Sequence, residues 1–427
     1  MVQRRRVCGV VAVAALAILG IQAGHAQDDP AVERAKRVLA SLREEKFDEV
    51  AKEFNAQMTA ALPAAQLKDV WATVRGQLGS FGSFIDQQVT MPATGVTVVA
   101  LGCQFEKAAA NVVVAFDAQD KIAGLSIRPR PAPQQEAAAP PPSSRFTEEQ
   151  VTVRSGQWSL PGTLSMPQGS IAGAVVLVHG SGPNDRDETI GPNKPFRDLA
   201  WGLADRGIAV LRYEKRTRQY AAQMALIKNL TVREETIDDA VSAAALLKAH
   251  DRLDPKRVFV LGHSLGGTLA PRIAAEDRSL AGLIIMAGAT RPFAEVAREQ
   301  IAYLASLPGA TSQSGSQEAA LQALLRSAPE SYWKDLDTYK PAAAAAQLTI
   351  PMLILQGERD YQVSLKDLQG WRDALPGHAN ATIRSYATLN HLFLSGQGSS
   401  TPADYDRAGR IPSFVLDDIA EWMKSQK

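Results

Sequence analysis

The chain has 427 residues, 46 of them basic and 45 acidic, for a formal net charge of +1 at pH 7. That balance excludes the basic footprint needed to hold nucleic acid or an anionic surface. Of two cysteines, Cys8 lies in the extreme N-terminal stretch, and the one left beyond it, Cys103, cannot form an internal disulfide, so stability has to come from packing.

The first residues read as an export signal. Arg4-Arg5-Arg6 is a basic start, residues 7–21 are apolar, and Ala23-Gly24-His25-Ala26 is a small-residue cleavage site. A membrane span needs about 20 apolar residues, more than this stretch offers. The signal is therefore expected to cover residues 1–26, leaving no stable span and a chain that begins at Gln27 and works in the periplasm or outside the cell. Removing the three arginines leaves 43 basic against 45 acidic residues, a net charge of −2. Cys8 goes with the signal. Cys103 sits in a strand-like run with no basic residue beside it and reads as a small buried hydrophobe.

What remains exceeds the roughly 300 residues at which one core stops growing, so two domains are expected. Residues 30–128 form the first. Helical spacing runs over 31–42 and 47–62, with Phe47, Val50, Phe54 and Met58 on one face, and a third helix over 67–78 follows Pro63. Period-two runs at 96–100, 111–116 and 122–127 then predict strands, giving a small cone-shaped α+β domain of helices and sheet. It contains no histidine and no carboxylate cluster, and no catalysis is assigned to it. Leu67, Trp71, Gly76, Gly79 and Phe81 have spacing that suits either a pocket lining or a core, of which core packing is favoured. Residues 129–145 are rich in proline and alanine without apolar periodicity, as a semi-rigid linker would be.

From Phe146 the rhythm changes. Strand-like runs at 174–178, 208–211, 257–261, 283–286, 352–355 and 382–386 alternate with helical stretches at 196–206, 232–249, 265–275 and 365–374. Such alternation predicts a mostly parallel sheet covered by helices on both faces, with active groups on loops at the carboxyl ends of the strands.

The first of these loops, His179-Gly180-Ser181-Gly182-Pro183, has glycines that let the backbone turn its N–H groups inward. Beyond it, Asp185, Asp187 and Glu188 crowd three carboxylates together. Without a facing histidine cluster they read as an acidic loop paired with Arg186 and nearby cations, and no metal is expected. Arg212, Lys215, Arg216 and Arg218 form a basic knot that is expected to neutralise them.

Gly262-His263-Ser264-Leu265-Gly266 follows the apolar run Val258-Phe259-Val260-Leu261 and precedes an apolar helix. This is a G-x-S-x-G elbow in the strand-to-helix setting that exposes a serine hydroxyl to a base and to free backbone N–H groups. Ser264 is the candidate nucleophile. Residues 290–348 interrupt the strand-helix rhythm with apolar positions that fit a helical cap over the serine. Within them Ser331-Tyr332-Trp333-Lys334 matches S-x-x-K, but no K-T-G follows it.

Asp360 closes Gly357-Glu358-Arg359-Asp360 at the end of a strand and is the candidate acid, with Glu358 as the alternative. Five histidines remain for the base. His250 ends a helix, His263 cannot reach back to the adjacent serine, His179 belongs to the glycine loop, and His378 lies at the wrong end of the last strand. His391 follows that strand, which makes it the candidate base and gives the chain order Ser, Asp, His of the α/β-hydrolases. The oxyanion donors are expected to be the backbone N–H groups of Leu265 and Ser181, with Gly182 as the alternative to Ser181.

The stretches His179 to Glu188, Gly191-Pro192-Asn193-Lys194-Pro195-Phe196, Tyr213-Glu214-Lys215-Arg216-Thr217, Gly262 to Gly267 and Gln356 to Val363 together resemble bacterial α/β-hydrolase esterases that carry a small N-terminal domain of unknown function. The similarity covers most of 146–427 and is weaker over 30–128. It implies an α/β-hydrolase fold with a cap, no cofactor, and carboxylesterase activity on short acyl esters, with Ser264, Asp360 and His391 as the triad. Acyl thioesters and peptides would pass through the same acyl-enzyme. A non-catalytic envelope binding protein working through its N-terminal domain is the reading from another class, and an intact candidate triad argues against it.

Overall fold

The structure is a computed structural model that describes residues 30–93, 96–129, 145–307 and 314–426. The expected signal over 1–26 and most of the linker lie outside the described residues. The chain divides into two compact units.

The first unit contains an antiparallel four-stranded sheet in the order β1 (Phe81–Ala93), β2 (Val96–Phe105), β3 (Ala109–Phe116) and β4 (Ile122–Pro129). β1 has no counterpart among the expected strands. Its register shifts at Phe81/Ser83, Phe84/Asp86 and Thr90/Ala93 break the two-residue alternation on which that reading depended. Helices Pro30–Arg43 and Ala64–Leu78 pack apolar faces, among them Val38, Leu42, Leu67 and Trp71, onto Val99, Leu101, Cys103, Val112 and Val114. The single helix expected over 47–62 is two, Phe47–Lys52 and Ala56–Ala61. Phe54 leaves the helical path to bridge Ile122, and the Asn55 side chain caps the second helix by accepting the Met58 N–H at 2.8 Å. Leu67 and Trp71 belong to the core, while Trp71, Gly76 and Gly79 also line a pocket of about 460 Å³.

The second unit is built on an eight-stranded sheet. Its strands are β5 (Phe146–Ser155), β6 (Trp158–Pro167), β7 (Gly173–Val178), β8 (Ile208–Tyr213), β9 (Val258–His263), β10 (Gly282–Met286), β11 (Met352–Gly357) and β12 (Ala381–Tyr386). The spatial order is β12-β11-β10-β9-β7-β8-β6-β5. β5 and β6 are a hairpin turned by Gly156 at φ 58°, and β6 runs antiparallel to β8, while the strands from β8 to β12 are parallel. Val175, Leu177, Phe259, Leu261, Ile284 and Leu353 point to one face, where Phe196, Leu203, Val415 and Met423 of helices Pro195–Ala204 and Ser413–Ser425 cover them. Their alternates Val176, Val260, Leu283 and Ile354 are equally buried, which is why these strands read as continuous apolar runs. Helices Asp238–Lys248 and Leu265–Glu276 pack against β7, β9 and β10. Between β10 and β11 the chain leaves the sheet for helices Phe293–Ser306, Ser314–Leu325, Glu330–Thr338 and Pro341–Ala345. Among the described residues no helix is long and apolar enough to cross a membrane.

Candidate active site

β9 ends at His263, and the chain turns at Ser264 into helix Leu265–Glu276. Ser264 has φ 53° and ψ −117°, a conformation that costs a non-glycine residue about 1–3 kcal/mol and persists only where its surroundings enforce it. The enforcement is visible. Ser264 N–H donates to Met286 O at 2.9 Å, and Thr268 N–H closes the first helical turn on Ser264 O at 2.9 Å. The flanking glycines are required by contact, since a Cβ on Gly262 would stand 2.6 Å from Gly267 N, and one on Gly266 would stand 2.8 Å from His179 O.

Asp360 lies just past β11 and is almost fully buried. Its Oδ1 accepts the backbone N–H groups of Gln362 at 2.7 Å and Val363 at 3.0 Å. Its Oδ2 accepts Gln356 Nε2 at 3.1 Å and faces His391 Nδ1 at 2.7 Å. The remaining candidate acid, Glu358, is exposed and accepts from Ser385 Oγ at 2.7 Å. His391 sits in a turn shaped by Asn390, whose Oδ1 accepts the N–H groups of Leu392 and Leu394. Arg359 ties the same loop down through the carbonyls of Thr388, Gln397 and Gly398. With Nδ1 facing a carboxylate, a neutral His391 ring that keeps its proton on Nδ1 would leave Nε2 open as an acceptor.

The histidine loop meets the elbow through His263. Its Nε2 lies 2.9 Å from His391 O, and the two rings are 4.8 Å apart. On its other side Nδ1 is 2.8 Å from Glu188 Oε2. Both ring nitrogens thus face acceptors, which suits the doubly protonated ring. Burial pulls the His263 pKa down, but the Glu188 charge and the two acceptors outweigh it and leave the pKa above its usual value. Burial pushes Glu188 up, and the nearby His263 overrides it to hold the carboxyl below the usual range.

Glu188 also accepts Gly180 N–H at 2.6 Å, and Lys215 Nζ donates to Gly180 O at 2.7 Å. The glycine loop is therefore gripped from both sides of Gly180. The loop lies against Ser264, because a Cβ on Gly180 would be 3.6 Å from Ser264 Oγ. Ser181, Ser264 and Leu265 line one pocket of about 80 Å³ with Thr268, Ala289 and Val363. Phe293, Val296, Leu336 and Tyr339, from the segment between β10 and β11, complete it.

The acidic loop and the basic knot do not pair as a block. Asp187 takes Arg212 and Lys194, Arg186 takes Glu214, Arg216 takes Asp239, and Lys215 takes Glu235 at 2.9 Å. Glu188 goes to a histidine that the sequence had set aside only because it could not serve Ser264. His250 and His378 make contacts elsewhere, with Arg252 N–H and Leu348 O. Ser331 Oγ donates to Leu230 O at 2.8 Å, and Lys334 is exposed.

Residues 175–421 match the model of the alpha/beta hydrolase family. The chain belongs to that family. Ahead of it, residues 35–125 of this hydrolase match a protein family of unknown function, DUF3887. Esterase EstD of Thermotoga maritima is 39% identical over 394 residues, which span 90% of this hydrolase and 92% of EstD. Among solved structures, an esterase of Pyrococcus furiosus aligns with TM-score 0.43 and 18% identity over 58% of this chain and 84% of its own. Est1E from Butyrivibrio proteoclasticus, bound to ferulic acid, aligns with TM-score 0.44 and 16% identity over 65% of this chain and 98% of its own.

Proposed function

We propose that this hydrolase is an exported serine carboxylesterase that cleaves short-chain acyl esters through an acyl-enzyme on Ser264. The observation that carries the reading is the buried Asp360–His391 pair at 2.7 Å, whose histidine lies on a loop that meets the elbow carrying Ser264. The 39% identity to an esterase over nine-tenths of the chain supports the same chemistry.

Ser264 Oγ attacks the ester carbonyl as His391 Nε2 takes its proton, and Asp360 stabilises the imidazolium so formed. The N–H groups of Leu265 and Ser181 receive the oxyanion, each worth on the order of 3 kcal/mol in the transition state. His391 returns the proton to the departing alcohol. It then draws a proton from water, which attacks the acyl-enzyme and releases the acid. A pocket of about 80 Å³ favours compact acyl groups.

The test follows hydrolysis of a short-chain chromogenic ester by the wild type and by Ser264→Ala. The variant is expected to lose at least about ten-thousand-fold in turnover, and wild-type turnover would remove Ser264 from the role. Acyl thioesters and peptide amides run beside the esters assign the leaving group. Export is tested by fractionating expressing cells and sequencing the N-terminus of the product, which is expected to start at Gln27.

A further inference from the structure

We infer that Lys215 is a positioning residue for the oxyanion site, acting through the Gly180–Ser181 peptide, and that Glu235 and Tyr332 hold it there. The inference rests on the ester-hydrolysis reading above. In a trans peptide the C=O and the following N–H belong to one rigid plane and point in opposite directions, and the described peptides include no cis bond. The Gly180 carbonyl is held by Lys215 Nζ at 2.7 Å and by Asn184 Nδ2 at 3.1 Å, neither of which lines the pocket. The N–H of the same plane, that of Ser181, is thereby turned the opposite way, at a residue that lines the pocket with Ser264. Gly180 N–H is committed to Glu188 at 2.6 Å, so it is not the donor.

The ammonium does more than orient. A cation hydrogen-bonded to a peptide oxygen draws electron density from the amide and makes its N–H a stronger donor, and water does not screen the buried Lys215–Gly180 contact. Lys215 is 2% exposed. Its own place is set by Glu235 Oε1 at 2.9 Å, and Glu235 Oε2 accepts Tyr332 Oη at 2.6 Å from helix Glu330–Thr338. A chain of alternating charge therefore runs from that helix through Glu235, Lys215 and the Gly180 peptide to Glu188, His263 and the backbone of His391.

The experiment uses the full-length enzyme carrying Lys215→Met together with Glu235→Gln. The second change leaves no unpaired carboxylate and keeps an acceptor for Tyr332. Lys215→Met alone strands Glu235 and serves as a folding control. For the double variant, if folded to the wild-type circular dichroism spectrum, kcat is expected to fall ten- to a hundred-fold with KM within about two-fold. The inhibition constant of a trifluoromethyl ketone, which forms an oxyanion on Ser264, is expected to weaken in parallel with kcat. A folded double variant with wild-type kcat and wild-type ketone affinity overturns the inference while leaving Ser264 in place. A Ser264→Ala enzyme with wild-type turnover overturns the ester-hydrolysis reading instead, and the two failures are distinct.

Discussion

Asp360 Oδ2 and His391 Nδ1 lie 2.7 Å apart with side chains 0% and 4% exposed, and the second carboxylate oxygen is saturated by two backbone N–H groups. The carboxylate is thus held by its own loop and directs one lone pair at the ring. Asp360→Asn keeps that shape but offers an N–H or a neutral oxygen in place of the charge. It is expected to lower kcat on a short-chain ester by about ten-thousand-fold with little change in KM. A loss below ten-fold would take Asp360 out of the catalytic pair.

The elbow glycines are a packing requirement, separable from catalysis. A Cβ on Gly262 meets only backbone, at Gly266 and Gly267, which no side-chain rotation relieves. Gly262→Ala is expected to destabilise the protein by at least about 3 kcal/mol or to prevent folding. At Gly169 nothing lies within 4 Å of the added carbon, so Gly169→Ala is expected to stay within about 0.5 kcal/mol of wild type. Urea unfolding of the two variants side by side makes the comparison, and equal stabilities would contradict it.

His179, at the start of the glycine loop, packs between Phe196 and Tyr213, and burial lowers its pKa from 6.5 to about 4. Between those values the unfolded chain binds a proton that the folded one does not. Stability from this group is therefore complete above pH 6.5 and drains away as the pH falls toward 4. His179→Gln removes the drain along with the packing. Its stability deficit relative to wild type is expected to shrink by about 2 kcal/mol between pH 7 and pH 5, and a deficit that stays constant with pH would refute the assignment.

Leu336 is 6% exposed and lines the pocket that contains Ser264. Truncation to alanine opens room for several methylenes, each worth about 1–3 kcal/mol of discrimination in an apolar pocket. For Leu336→Ala the ratio of kcat/KM for long-chain over short-chain esters is expected to rise roughly ten-fold. An unchanged ratio across the chain-length series would place substrate selectivity elsewhere.

Elements whose causes are local are legible along the chain. The parallel strands announce themselves as short apolar runs, and the glycines around Ser264 mark a turn that only small residues can make. The loop ends of β11 and β12 put Asp360 and His391 within reach in principle, because strand ends converge in a sheet of this kind. Pairings between residues distant along the chain come only from the fold. It passed over Glu358, which Ser385 occupies, and gave Asp360 the four hydrogen bonds that Gln356, Gln362, Val363 and His391 supply. It sent Lys215 to Gly180 and Glu235, and Glu188 to His263, where composition alone suggested one acidic loop neutralising one basic knot. Charge pairing in a buried site is decided by which desolvated groups come within about 3 Å. That distance is set by how β7, β8 and β9 lie side by side, and no spacing along the chain encodes it.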